Sequence, residues 1–105
     1  MSVVAILAAL GDESRLRIVN KLGRGGPLSI AKLAEGAGIS RQAITKHLHA
    51  LHAAGLVHSA RQGRERIWEL EPARIDDVRR YLARISQRWD DALGRLKSKL
   101  EDESA

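Results

Sequence analysis

Cysteine is absent from this 105-residue chain. That excludes a disulfide framework, a thiolate metal site and a cysteine nucleophile, and it is compatible with a reducing cytoplasm. Phenylalanine is absent as well, and Trp68, Tyr81 and Trp89 are the only aromatic residues. A core must therefore rest on Leu, Ile, Val and Ala, a composition that suits helices. Long apolar runs are lacking too. The stretch "VVAILAAL" near the start is too short to span a membrane and has no basic segment ahead of it like that of an export signal. No glycine-rich phosphate-binding motif occurs. The expectation is a soluble, cytoplasmic protein that is not an enzyme and needs no cofactor or membrane.

What is present is positive charge, unevenly spread. The net charge is +5, and residues 1–39 carry five basic and three acidic groups, residues 40–70 five and two, and residues 71–105 eight and eight. An excess confined to the first two thirds favours a polyanionic partner, and a balanced final third suits a solvated helix with a separate role. The length is that of one domain, so residues 1–105 are read as a single unit.

Along the chain, "SVVAILAAL" reads as a short helix stopped by Gly11. In "DESRLRIVNKLG", Asp12 is placed as an N-cap, Leu16, Val19 and Leu22 recur at helical spacing, and Gly23 ends the helix. "RGGP" is a turn. Ser29 then caps "LSIAKLAEGAG", with Ile30, Leu33, Ala34 and Ala37 as its inner stripe, and Ser40 caps "RQAITKHLHALHAA", which Gly55 terminates. Two helices joined by "GAGIS" make a helix-turn-helix over residues 29–54. Residues 56–70 read as a hairpin with Gly63 supplying positive φ at the turn, and Trp68 and Leu70 packing inward. Pro72 starts a last helix, 73–100, before a frayed "EDESA" tail. The fold class is mainly α with a small β-hairpin: a winged helix-turn-helix with a long C-terminal helix.

Wound at 3.6 residues per turn, the second helix of the pair puts Ile44, Leu48 and Leu51 on one side and Gln42, Thr45, Lys46, His49 and Ala53 on the other. A protein that reads DNA needs hydrogen-bonding side chains on the first turns of a helix in the major groove, and cations for phosphate. Arg41 can fork onto guanine, Gln42 can pair with adenine, Thr45 can offer a hydroxyl or meet a thymine methyl, and Lys46 can reach phosphate or a guanine edge. The three histidines of "TKHLHALHAAGL" do not share a direction. His47 lies beside the core stripe; His49 and His52 face outward. The latter two could chelate one ion, but a zinc site needs further ligands and only His58 remains. As donors over phosphate they fit better.

Arg61, Arg64 and Arg66 surround the hairpin turn, with Arg64 at the tip, as expected of a wing lying on the DNA backbone or dipping into the minor groove. The last helix carries Ile75, Val78, Leu82, Ile85, Trp89, Ala92, Leu96 and Leu100 in one seam, longer than a domain of this size needs to cover itself. Packing of that seam and the first helix against a second copy is expected, with Val4, Leu7, Val78, Leu82, Ile85, Trp89 and Leu96 in the interface.

Three segments resemble the ArsR/SmtB-type winged helix repressors. "LGDESRLRIVNKL" is similar to their early helix, "LAEGAGISRQAITKHLHALHAAGLV" to their helix-turn-helix, and "RQGRERIWEL" to their wing, together covering roughly residues 5–70. The tail "RWDDALGRLKSKLE" resembles that of a metal-independent branch. The resemblance implies a cytoplasmic homodimer that binds a double-stranded DNA operator and blocks transcription until a signal weakens binding. It also implies DNA contacts by Ser40, Arg41, Gln42, Thr45 and Lys46, and by Arg64 at the wing tip. The chain departs from the family's metal sensors: "LSIAKLA" has no cysteine pair, and no histidine follows His58. Asp76, Asp77, Asp90 and Asp91 offer only carboxylates. No metal site is expected. Two alternatives remain open from the sequence: a winged helix module that docks an acidic protein, and a metal-responsive repressor using His49 and His52. A small-molecule or protein effector has no signature that the sequence reveals.

Overall fold

The computed structural model describes residues 3–104. The elements are α1 (Val3–Leu10), α2 (Glu13–Gly25), β1 (Leu28–Ser29), α3 (Ile30–Ala34), α4 (Arg41–Ala53), β2 (Val57–Gln62), β3 (Glu65–Leu70) and α5 (Pro72–Ser104). The strands form one antiparallel sheet in the order β1-β3-β2. The architecture is a winged helix-turn-helix extended by a long C-terminal helix.

Local chemistry accounts for the helix starts. Asp12, Ser29 and Ser40 are extended residues whose side-chain oxygens accept the N–H of Arg15 (3.0 Å), Lys32 (3.2 Å) and Ala43 (3.1 Å). Each satisfies one backbone donor that the first turn leaves free. Where the sequence predicts that α2 ends at Gly23, it continues to Gly25. Gly26, at φ 71°, is the residue that closes it, donating its N–H to the Leu22 carbonyl. Within α2 the buried residues are Ile18 and Leu22, and Leu16 is exposed, so the inner stripe differs from the expected one. β1 is a second departure. Leu28 and Ser29 pair with Trp68 and Ile67 of β3, adding a third strand to the hairpin.

The core joins Ile6 of α1, Ile18 and Leu22 of α2, Leu33 of α3, and Ile44, Leu48 and Leu51 of α4 to Leu56, Val57, Trp68 and Val78. Trp68 is buried, and Leu70 packs against the cluster, as the alternation of the last strand predicts. Val78 is a correction: at 8% exposed it belongs to the protomer's own core and not to an outward seam. It lies on the first turns of α5, which still cross the globule. Beyond it the helix leaves the body. Its 33 residues are about 50 Å long at 1.5 Å per residue. The radius of gyration is 18.8 Å, against about 13 Å for a compact domain of this length. Glu101–Ser104 continue the helix rather than fraying, the Ser104 hydroxyl donating to the Leu100 carbonyl.

Candidate nucleic-acid interface

The helix-turn-helix is made by α3, a turn containing Gly36 (φ 68°) and Gly38 (φ 73°), and α4. Ile44, Leu48 and Leu51 have no exposed surface and anchor α4 from beneath. Arg41, Gln42, Lys46 and His49 stand exposed on the opposite side, with Thr45 half-buried. Arg41, Gln42, Thr45, Lys46 and His49 line one open concavity together with Ile30 of α3. The Thr45 hydroxyl donates to the Arg41 carbonyl (2.9 Å), so its hydrogen is engaged within the helix and its oxygen is left as an acceptor. Ser40 uses its oxygen as the cap acceptor, and its hydroxyl hydrogen stays available to a phosphate. Neither Arg41 nor Lys46 has an acidic partner among the described residues.

The histidines divide differently from how they read as a string. His47 is half-buried and faces the start of α2. The Asp12 carboxyl there is held below its ordinary pKa, mainly by the Arg15 backbone N–H, with the charges of Arg15 and His47 adding. His49 and His52 flank Trp68, with ring centroids 6.3 and 6.4 Å from the indole. His52 Nδ1 lies 3.1 Å from the Val57 carbonyl. A carbonyl only accepts, so Nδ1 carries the proton and Nε2 is the nitrogen left for a ligand. These two rings therefore fill the joint between α4 and the wing as well as facing outward. The Trp68 indole N–H is buried there without a partner among the described residues.

The hairpin turns on Gly63 (φ 64°) and Arg64, with Gln62 opposite Glu65. Only the glycine takes positive φ, the pattern of a type II′ turn. Arg61 pairs directly across from Arg66 and Ser59 across from Trp68. Because side chains alternate along a strand, Arg61 and Arg66 lie on the same sheet face as Trp68, the face that packs on α4. Glu65 and Glu69 lie on the other face. The pleat thus sorts the wing's charges, cations toward the α4 side and carboxylates away from it. Arg66 donates to the Ser59 hydroxyl (2.9 Å). Two guanidinium groups directly opposite each other repel, an arrangement that an anion lying across them relieves.

A helix-turn-helix domain model matches residues 10–60. The HTH-type transcriptional regulator Rv2034 of Mycobacterium tuberculosis is 36% identical over 85 residues, 81% of this chain and 76% of that protein. The structure of an ArsR-like transcriptional regulator from Rhodococcus sp. RHA1 is 42% identical with a TM-score of 0.72, covering 90% of this chain and 89% of that one. The chain belongs to the ArsR family of transcriptional regulators. A further structure of similar shape is the homodimeric winged helix-turn-helix DNA-binding domain Mb0332 of Mycobacterium bovis, solved as fragment 1–100 and described as a possible ArsR-family transcriptional regulator. It is 26% identical with a TM-score of 0.64, covering 87% of this chain and 81% of that one. As an ArsR-family protein, the chain is a DNA-binding transcriptional regulator.

Two further properties bear on this ArsR-family chain. Among the described residues, no group of three or more His, Cys, Asp and Glu side chains could hold a metal ion. No helix among them is long and apolar enough to cross a membrane. One interaction that the sequence does not announce stands out. His58 bridges Glu69 (Nε2 to Oε1, 2.6 Å) and Glu71 (Nδ1 to Oε2, 2.9 Å). The hairpin register places His58 opposite Glu69, so a turn centred on Gly63 and Arg64 already carries half of that signal.

Proposed function

We propose that this ArsR-family regulator is a cytoplasmic homodimeric repressor of the metal-independent branch, which occupies a pseudo-palindromic operator and so blocks transcription. Each copy lays α4 in a major groove, with Arg41 and Gln42 on base edges and Ser40, Thr45, Lys46 and His49 on bases or phosphate. The two grooves are successive, about 34 to 36 Å apart. Arg61 and Arg66 grip the backbone beside the groove, and Arg64 at the tip reaches the adjacent minor groove. The observation that carries this reading is the sorting of charge. Cations without acidic partners line α4 and the Trp68 face of the wing, the face turned to α4, and the hairpin's carboxylates Glu65 and Glu69 occupy its other face.

Dimerisation rests on a second observation. Leu82, Trp89, Leu93, Leu96 and Leu100 of α5 are exposed, with Ile85 half-buried among them, and Val4 of α1 is also exposed. Leu7 of α1 is half-buried. The α5 residues form one helical stripe beyond the globule, and a second copy covers it in the proposed dimer.

The test is binding to a duplex selected from a random library by the wild-type protein, compared with unselected DNA over a salt series. Arg41→Ala or Gln42→Ala is expected to lower discrimination by about 1 to 3 kcal/mol for each base edge no longer read. The double variant Arg61→Ala/Arg66→Ala is expected to weaken all sequences alike and to flatten the salt dependence by about one unit per phosphate no longer neutralised. Equal wild-type affinity for selected and unselected DNA at every salt concentration would contradict the reading.

A further inference from the structure

The contacts of His58 demand a proton. Glutamate carboxylates only accept, and a neutral imidazole has a single N–H, so it can serve one of Glu69 and Glu71 but not both. Two contacts of 2.6 and 2.9 Å, one at each ring nitrogen, are together hydrogen bonds only when the ring is an imidazolium.

The position of this clasp gives it a mechanical role. His58 is on β2 and Glu69 faces it from β3. Glu71 is the residue at which the wing becomes the dimer helix. Its N–H donates to the Leu56 carbonyl (2.8 Å), and its own carbonyl accepts the N–H groups of Arg74 (3.1 Å) and Ile75 (3.2 Å) in the first turn of α5. The charges acting on the ring are those of Glu69 and Glu71. Arg74, a cation of the first turn of α5, bonds Asp77 at 2.6 Å and not either glutamate. His52 is engaged on the opposite face, through the Val57 carbonyl.

We propose that His58 is a positioning residue whose protonated ring fastens the wing to the start of α5, so that DNA binding weakens as the ring loses its proton. The proposal rests on the reading that α5 spaces the two copies while α4 and the wing grip DNA. Deprotonation leaves one glutamate without a donor and removes the cation between two carboxylates. The wing-to-helix angle then loosens, and ordering it again on DNA reduces affinity. Both carboxylates, Glu69 first, hold the ring's pKa above its ordinary value. A raised pKa fixes the sign: the contribution is complete below about pH 6.5 and is lost as pH rises through the higher folded-state value.

Two measurements test it. In an NMR titration of the imidazole resonances, His58 should titrate above the ordinary histidine value, and Glu71→Gln should bring it down. Affinity for the library-selected duplex is then measured from pH 6 to pH 8 for wild type and His58→Gln. Wild type is expected to lose about fivefold more affinity across that range than His58→Gln, a modest coupling between sites. Superimposable wild-type and His58→Gln profiles, or a His58 pKa unmoved by Glu71→Gln, would overturn the proposal alone. If neither protein bound the duplex at pH 6, the DNA reading beneath it would fall and the proposal with it.

Discussion

Leu48→Ala should lower the free energy of unfolding by about 3 kcal/mol, the middle of the range for emptying a sealed leucine site. Leu48 has no exposed surface and lies at the centre of the packing between α4 and the rest of the core. Its removal forfeits transfer energy and leaves a void that the neighbouring Ile44, Leu51 and Trp68 side chains cannot fill without leaving their rotamers. At fixed protein concentration the midpoint of thermal unfolding should fall by roughly 10 to 20 °C, and urea titration gives the free energy directly. Gln42→Ala, six residues earlier on the same helix and exposed, should change stability by no more than about 0.5 kcal/mol. The contrast separates the two faces of a single helix, one that folds the domain and one that reads DNA. A stability loss for Leu48→Ala of the same size as that for Gln42→Ala would mean that α4 is not seated as described.

The second large effect concerns Trp89. At 68% exposed it is the largest apolar side chain left in water, in the middle of the α5 stripe. In a two-fold dimer it meets a buried environment twice. Truncating a central aromatic anchor costs about 2 kcal/mol or more per copy, hence about 4 kcal/mol per dimer, or roughly a thousandfold in the dissociation constant. Sedimentation equilibrium of Trp89→Ala should therefore show monomer at concentrations where the wild type is paired. The protomer fold should survive, because Trp89 makes no contribution to the core. An unchanged association constant would remove α5 from the interface. Operator affinity should fall together with dimerisation, since one copy can engage only one half-site.

Some of this is legible in the chain alone. The three-and-four spacing of Ile44, Leu48 and Leu51 determines which face of α4 is buried, and hence that Arg41, Gln42, Lys46 and His49 point away. Ser40 and Asp12 announce helix starts because a short side-chain oxygen next to a free backbone N–H is a local event. Gly63 marks the hairpin turn for an equally local reason, and the turn sets the strand register that puts Arg61 beside Arg66 and His58 beside Glu69. Within a few residues of the chain, sterics and hydrogen-bonding capacity leave little choice.

Other features depended on what the chain meets in space. The two residues of β1 have no period of their own and are a strand only because β3 offers them an edge. Leu16 and Val78 show the same limit from opposite sides: periodicity identifies an apolar stripe but not what covers it. On α5 the stripe is continuous from Ile75 to Leu100, yet Val78 packs in its own globule while Trp89 stands in solvent. The difference is only where the globule ends. Glu71 reaches His58 because the chain turns at Pro72, and His49 and His52 close on Trp68 because β3 passes beneath α4. The sequence by itself determined the helices and the hairpin, the buried face of α4 and the family. The tertiary structure decided which surfaces share a side, since burial and proximity between distant segments are properties of the packed chain and not of any stretch of it.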